Sequence, residues 1–352
     1  MGYMEHTTLY RKYRPAKFSD ILGQDHITKV LAKSTKENKI AHAYLLSGSR
    51  GTGKTSIARI LARELGTNQE DIYEIDAASN RGIDDIRELR DGVGVLPFSS
   101  TYKVYIIDEV HMLTKEAWAA LLKTLEEPPR HVIFILATTE LDKVPDTIVS
   151  RCETYIFRKP NDAMLAEEAT RIAKSEGYTF EKGAADLIAL LGDGSFRDMM
   201  SILQKVLTYA DGKKIALSDV EEITGSPKES LVRGIITAFA HNDIERALEV
   251  VHSLEKENVD IRTFTKLLLS KLRAILVMRY APKAKTPLLE NIGEDEKTFL
   301  EMALKESKGV FTAKSLEILL SAYQKEKNAG IQVLPLELAV MDILDTATVD
   351  NS

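Results

Sequence analysis

The segment Gly48-Ser49-Arg50-Gly51-Thr52-Gly53-Lys54-Thr55 constrains this chain more than any other. It satisfies G-x-x-x-x-G-K-[ST] directly after a short apolar run and directly before a helix-period stretch, residues 56–65. A loop of that kind needs a strand to enter it and a helix to leave it. Its glycines let backbone N–H groups wrap phosphates, and the helix N-terminus adds positive potential. Lys54 can neutralise the outer phosphates and Thr55 can ligate magnesium. With Ser56 opening the helix, these residues are the candidate nucleotide-binding set. The blander alternative is a glycine-rich turn, which does not require strand, glycines, lysine, threonine and helix in this order.

Around the loop, short apolar runs at residues 44–46, 72–75, 104–107 and 132–137, and a last one near 155–157, alternate with helix-period segments. That alternation predicts parallel strands joined by crossover helices, a nucleotide-binding α/β layer that Pro160 closes. Beyond Asn161 the strand signal disappears: residues 163–175, 184–191 and 198–209 carry apolar side chains at three- and four-residue spacing, as a small helical lid would. The turn Gly225-Ser226-Pro227 then opens a third region with helical periods at 231–240, 244–254 and 264–280, interrupted by a loop over 281–287. The expected class is α/β followed by all-α, divided at 1–160, 161–224 and 225–352. A chain of 352 residues suits two or three domains of roughly 100–200 residues each.

Val104-Tyr105-Ile106-Ile107 runs straight into Asp108-Glu109, so two carboxylates stand at the C-terminal end of a buried strand, where magnesium and water would be. Asp108 can hold the metal through water and Glu109 can polarise the attacking water. Alone, such a pair is more often a solvated turn; the phosphate loop is what favours the chemical role. The next strand ends Ala137-Thr138-Thr139, where Thr139 is a candidate γ-phosphate sensor or a cap of the following turn.

Lysine plus arginine number 47 against 53 aspartate plus glutamate, a net charge of -6, which argues against a polycationic coat for nucleic acid and leaves room only for a basic patch. Cys152 is the single cysteine, so neither an intrachain disulfide nor a multi-cysteine zinc cluster can form, and a reducing, cytoplasmic setting fits. The first fifteen residues are polar and basic, and no run approaches the roughly 20 apolar residues of a membrane span; neither signal peptide nor anchor is expected.

Arg11-Lys12-Tyr13-Arg14-Pro15, Ile75-Asp76-Ala77-Ala78-Ser79-Asn80, Asp108-Glu109-Val110-His111, Leu125-Glu126-Glu127-Pro128-Pro129 and Ser150-Arg151-Cys152 together resemble the bacterial clamp-loader ATPases, the gamma/tau subunits of DNA polymerase III. The similarity is dense through Arg197 and thinner in the last third. It implies an AAA+ P-loop ATPase domain, a helical lid and a helical collar that joins subunits. The implied activity is ATP hydrolysis that opens a ring-shaped sliding clamp and places it on primed DNA. The implied partners are copies of itself and subunits of the delta and delta-prime type, with ATP and Mg2+ as cofactors and no membrane. By matching motifs, Arg151 resembles the arginine finger that completes a neighbour's ATP site, and Arg197, in Gly194-Ser195-Phe196-Arg197-Asp198, resembles the lid sensor of its own subunit. Tyr13, Arg14, Pro15, Ile21 and Leu22 resemble the adenine-binding edge, and Pro160 joins that nucleotide-binding set.

A guanidinium suits charge developing on γ-phosphate oxygens, and one supplied from outside the subunit makes hydrolysis depend on assembly. Each arginine taken singly is better read as a surface salt bridge, a preference that the surrounding motifs reverse. Ser79-Asn80-Arg81-Gly82 precedes a helical segment at 84–90, so Asn80 and Arg81 either grip a DNA phosphate at a helix start or serve as an ordinary cap with an exposed arginine. The family's four-cysteine zinc module is missing between residues 65 and 71, so zinc is not expected, and the end at Ser352 leads us to expect a gamma-like protein. Rival readings are a replication factor C small subunit, a delta-prime-like subunit, an ATP-regulated scaffold that hydrolyses little, and a lone DNA-remodelling motor. Intact Lys54, Thr55 and Glu109 argue for a catalytic subunit.

Overall fold

A computed structural model of the chain describes residues 8–79, 86, 89, 91–282, 293–307 and 309–349. Two compact units emerge, residues 1–168 with 192–201 and residues 169–191 with 202–352.

The first unit is built on a five-stranded sheet, β1 (Ala43–Ser47), β2 (Ile72–Asp76), β3 (Lys103–Asp108), β4 (Val132–Thr138) and β5 (Glu153–Ile156), in the order β2-β3-β4-β1-β5. Every pairing is parallel. The three inner strands are buried along almost their whole length, which is why they read as unbroken apolar runs: helices cover both faces. Alternation sorts their side chains. Leu45, Tyr105, Ile107, Phe134 and Leu136 pack on one face with Trp118, Leu121 and Leu125 of the helix Lys115–Glu126. Tyr44, Leu46, Val104, Ile106, Ile133 and Ile135 pack on the other with Ile57, Ile60 and Leu61 of the helix Lys54–Glu64 and with Ile27 and Leu31. The edge strands β2 and β5 are largely exposed.

Each expected strand is present, one or two residues out of place at its ends. The helix after the phosphate loop starts at Lys54 instead of residue 56, so its N-terminal N–H groups belong to the motif itself. The short connection between that helix and β2 is closed by Asp71. Its buried carboxylate accepts the N–H groups of Phe98, Ser99 and Ser100 at 2.6, 2.9 and 2.9 Å. Burial pushes this carboxyl up, but the three N–H donors outweigh it and hold it below the ordinary carboxylate range.

The second unit is helical, with one correction to the sequence expectation that strands end at Asn161. Thr179–Phe180 and Lys214–Ile215 form a two-residue parallel pair, too short to show any alternation in the sequence. Its helices, among them Glu229–His241, Ile244–Lys256, Ile261–Tyr280, Glu294–Glu306, Ala313–Glu326 and Leu334–Val349, enclose Phe239, Phe264, Leu268, Phe311, Leu319 and Leu336. They run past the expected boundaries because polar caps stop them. Asn242 takes the left-handed conformation after His241, and Asp243 and Asp260 accept the N–H groups of Arg246 and Thr263 at the next two starts. The loop expected at 281–287 lies outside the described residues beyond Pro282. No described helix is long and apolar enough to cross a membrane.

One buried carboxyl in this unit makes its stability sensitive to pH. Glu326 is 6% exposed and accepts the Thr265 hydroxyl at 2.6 Å; burial pushes its carboxyl up to about 7 from an ordinary 4.5. A raised carboxyl binds its proton more tightly in the fold, so its stabilising contribution is complete below about pH 4.5 and is lost as pH rises through about 7. Glu326→Gln keeps an acceptor for Thr265 and removes the charge. We expect the variant to be more stable than the parent by about 2 kcal/mol at pH 8, with the difference closing by pH 5, as read by urea unfolding of the full chain. Parallel pH profiles for the two proteins would contradict this.

Candidate functional site: a phosphate loop facing two carboxylates

The loop between β1 and its helix turns through left-handed backbone at Gly51 (φ 72°) and Gly53 (φ 101°), conformations that L side chains rarely adopt. Gly51 is also pressed from outside: a Cβ there would meet Ser195 Oγ at 1.9 Å. Lys54 is 6% exposed, and its Nζ donates to Gly48 O at 2.7 Å and Ser49 O at 3.0 Å. Burial pushes the ammonium down, and the nearby Glu109 and Asp108 carboxylates push it back up. Thr52 is buried and ties the loop to itself through Ser49 O at 2.9 Å, while Ser49 and Arg50 are exposed. Ser56 is half-buried in the first turn of the helix.

β4 separates β1 from β3, and the strand ends carry the remaining groups to the same rim. The Thr55 hydroxyl donates to Asp108 Oδ2 at 2.7 Å, and Asp108 Oδ1 accepts the N–H of Glu109 at 3.0 Å. Glu109 sits in left-handed backbone (φ 50°), an uncommon state for a residue with a Cβ. Its Oε2 accepts the Thr139 hydroxyl at 3.1 Å. Thr55 and Asp108 form an all-oxygen donor set, which fits Mg2+ held by few protein ligands and several waters.

At the far side of the loop, the Phe196 N–H donates to Gly51 O at 3.0 Å, and the exposed Arg197 guanidinium lies 5.2 Å from the Tyr10 ring centroid. Arg14 is half-buried; burial and the Arg59 and Arg197 guanidiniums hold it below its usual range. Ile21 is buried, its Cδ1 4.0 Å from where a Cβ on Gly53 would be. Leu22 is exposed, Tyr13 and Pro15 are half-buried, and Pro160 is buried. The turn that carries Ile21 and Leu22 is anchored by Gln24, whose side-chain amide donates to Arg158 O at 2.7 Å and accepts Arg158 N–H at 3.0 Å.

Lys54, Thr55, Asp108, Glu109 and Thr139 thus converge, with Arg197 joined to the loop through its neighbour Phe196. Arg151 is held elsewhere: its terminal nitrogens donate to Thr147 O at 2.6 Å and to Glu126 Oε1 at 2.7 Å. Asn80, Arg81 and most of the segment 84–90 lie outside the described residues. Residue-by-residue reading missed Tyr10, Ser195 as the neighbour of Gly51, and His111, which stands 3.5 Å from Glu109. Of these, His111 and Ser195 left a signal, as members of the Asp108-Glu109-Val110-His111 and Gly194-Ser195-Phe196-Arg197-Asp198 runs.

A family model described as DNA polymerase III, delta subunit, matches residues 23–81 and 66–161. The chain is 36% identical over 365 residues to DNA polymerase III subunit tau of Bacillus subtilis, covering 98% of this chain and 64% of that protein. It is 37% identical over 352 residues to the gamma/tau subunit of Mycoplasma genitalium, covering 94% of this chain and 57% of that one. The chain therefore spans about six-tenths of the length of these curated relatives. Among solved structures it resembles the RuvB branch migration motor of Thermotoga maritima, with a TM-score of 0.52 at 22% identity, covering 82% of this chain and 98% of that one.

A parallel sheet of this order, with the glycine loop after β1 and paired carboxylates after β3, defines the class of P-loop α/β domains. Within that class, nearly the whole chain is similar to the gamma/tau subunits of DNA polymerase III.

Proposed function

We propose that this chain is an ATP-hydrolysing subunit of a cytoplasmic clamp loader, using ATP binding and hydrolysis to place a sliding clamp on primed DNA. The observation that carries the reading is the approach of Thr55 and Asp108 to 2.7 Å beside a phosphate loop, with Glu109 next in line. In this reading Lys54 leaves the Gly48 and Ser49 carbonyls to neutralise the outer phosphates, and the N–H groups opening its helix hold the rest. Thr55 and, through water, Asp108 would hold Mg2+, which when bound neutralises charge building on the phosphate oxygens. Glu109 orients and deprotonates the attacking water, and Thr139 reads the γ-phosphate. Arg197 contacts nucleotide in its own subunit, Arg151 reaches the site of an adjacent one, and Asn80 and Arg81 track the DNA backbone without reading sequence.

The working division is a P-loop ATPase domain at 1–160, a lid at 161–224 and a collar at 225–352. Copies of the chain and subunits of the delta and delta-prime type share the assembly. The names of the gamma/tau relatives and the Gly51 O to Phe196 bond, which ties the loop to the segment bearing Arg197, both support this reading. The test is steady-state ATP hydrolysis by the chain with its loader partners. We expect the rate to rise when sliding clamp and primed DNA are added together. A rate indifferent to both would favour a scaffold or an unrelated motor.

A further inference from the structure

Glu109 and Thr139 are bonded to each other, yet both are needed elsewhere during turnover. A threonine hydroxyl has one hydrogen. Once Thr139 gives it to a γ-phosphate oxygen, Glu109 Oε2 loses the donor that now orients it. A second potential donor stands beside that oxygen: His111, whose Nδ1 lies 3.5 Å from Oε2.

The imidazole is held for such a role. Its side chain is only 7% exposed and it follows Val110 in the short turn Val110–Met112, which Glu109 itself caps. Nδ1 is 3.1 Å from Thr138 Oγ1, and that hydroxyl accepts the Glu140 N–H at 3.0 Å and donates to Glu140 O at 3.2 Å. With its hydrogen given to Glu140 O, Thr138 has only a lone pair left for the ring, so Nδ1 meets it as a donor. On the opposite edge, Nε2 faces Glu140 Oε1 at 3.3 Å, and Lys143 holds the other Glu140 oxygen at 2.7 Å. Ring position and N–H direction are therefore set before any nucleotide arrives, while the Nδ1–H needs to swing only from Thr138 Oγ1 toward Glu109 Oε2.

We propose that His111 is the positioning residue of the hydrolytic step, taking over Glu109 from Thr139 when the γ-phosphate claims the threonine hydroxyl. The proposal rests on the reading of Glu109 as the group that activates water. It adds that recognition of the γ-phosphate and orientation of the carboxylate are one exchange of hydrogen bonds, with the imidazole as the second holder.

The discriminating variants separate the two ring nitrogens. In His111→Asn the amide nitrogen occupies the place of Nδ1, whereas in His111→Gln it reaches toward that of Nε2. Single-turnover ATP hydrolysis and ATP affinity would be measured on the full chain in its reconstituted loader. We expect His111→Ala to slow the chemical step roughly tenfold to a hundredfold at unchanged affinity, the cost of a misplaced reacting group. His111→Asn should recover most of that loss and His111→Gln little of it. In a Glu109→Gln background, His111→Ala should cost nothing further. Full rate in His111→Ala, equal rescue by Asn and Gln, or an added loss in the Glu109→Gln background would overturn the proposal. If Glu109→Gln itself hydrolyses at the parental rate, the reading of Glu109 has failed and the proposal falls with it. If only the His111 pattern fails, Glu109 keeps its role. Should the alanine variant not fold, the Asn and Gln pair decides alone.

Discussion

Glu109→Gln is expected to slow ATP hydrolysis by roughly 10²–10⁴-fold, the range in which a positioned acid–base group contributes, while ATP remains bound. The amide can still accept the Thr139 hydroxyl that Glu109 Oε2 accepts at 3.1 Å, so the local geometry survives. What disappears is the ability to take a proton from water. In the proposed site the nucleotide would be held by other groups: Lys54, Thr55 and the N–H groups of the loop lie on a different element from Glu109. Single-turnover rates and nucleotide affinity, measured side by side, separate the two roles. A variant that loses affinity in proportion to rate would mean that Glu109 serves binding and that the hydrolytic base lies elsewhere.

Arg151→Ala should leave ATP affinity in the isolated chain nearly intact and lower turnover in the assembly by roughly 10³-fold or more, the worth of an arginine supplied in trans. Among the described residues, this guanidinium grips Thr147 O and Glu126. The Glu126 pair is partly exposed, with the two side chains 34% and 44% accessible, so its contribution to stability is about 0–1 kcal/mol. Releasing Arg151 to an adjacent subunit therefore costs little, and its removal should not unfold the chain. Mixing experiments sharpen the test. Arg151→Ala subunits combined with Lys54-deficient subunits should recover activity only at sites where an intact Lys54 meets an intact Arg151 from next door. A larger loss of nucleotide binding than of turnover would place Arg151 in its own subunit's site and remove the reason for assembly-dependent hydrolysis.

Much of the first unit is legible in the residues alone. β1, β3 and β4 are buried on both faces, so their apolar runs stand out from their surroundings, and the glycine-lysine-threonine loop locates itself between β1 and its helix. The same cause explains what was not legible. The Thr179–Phe180 and Lys214–Ile215 pair spans two residues on each side, which leaves no period to detect. Helix ends in the second unit depend on single caps such as Asn242 and Asp243, whose effect is local and easily read as loop. The start of the phosphate-loop helix at Lys54 reflects the left-handed Gly53 immediately before it, a backbone state that spacing alone does not reveal.

The chain's own pattern of residues determined the sheet, the phosphate loop, the carboxylates after β3 and the family resemblance, because each is written in contiguous stretches whose period or motif is local. Only the tertiary structure decided which of these groups meet. Thr55 finds Asp108 across 53 positions, Glu109 finds Thr139 across 30 positions and His111 finds Thr138 across 27 positions. All three meetings follow from β4 being inserted between β1 and β3, so that strand ends distant along the chain share one rim. Strand order is a property of how layers pack, and no short window of sequence carries it.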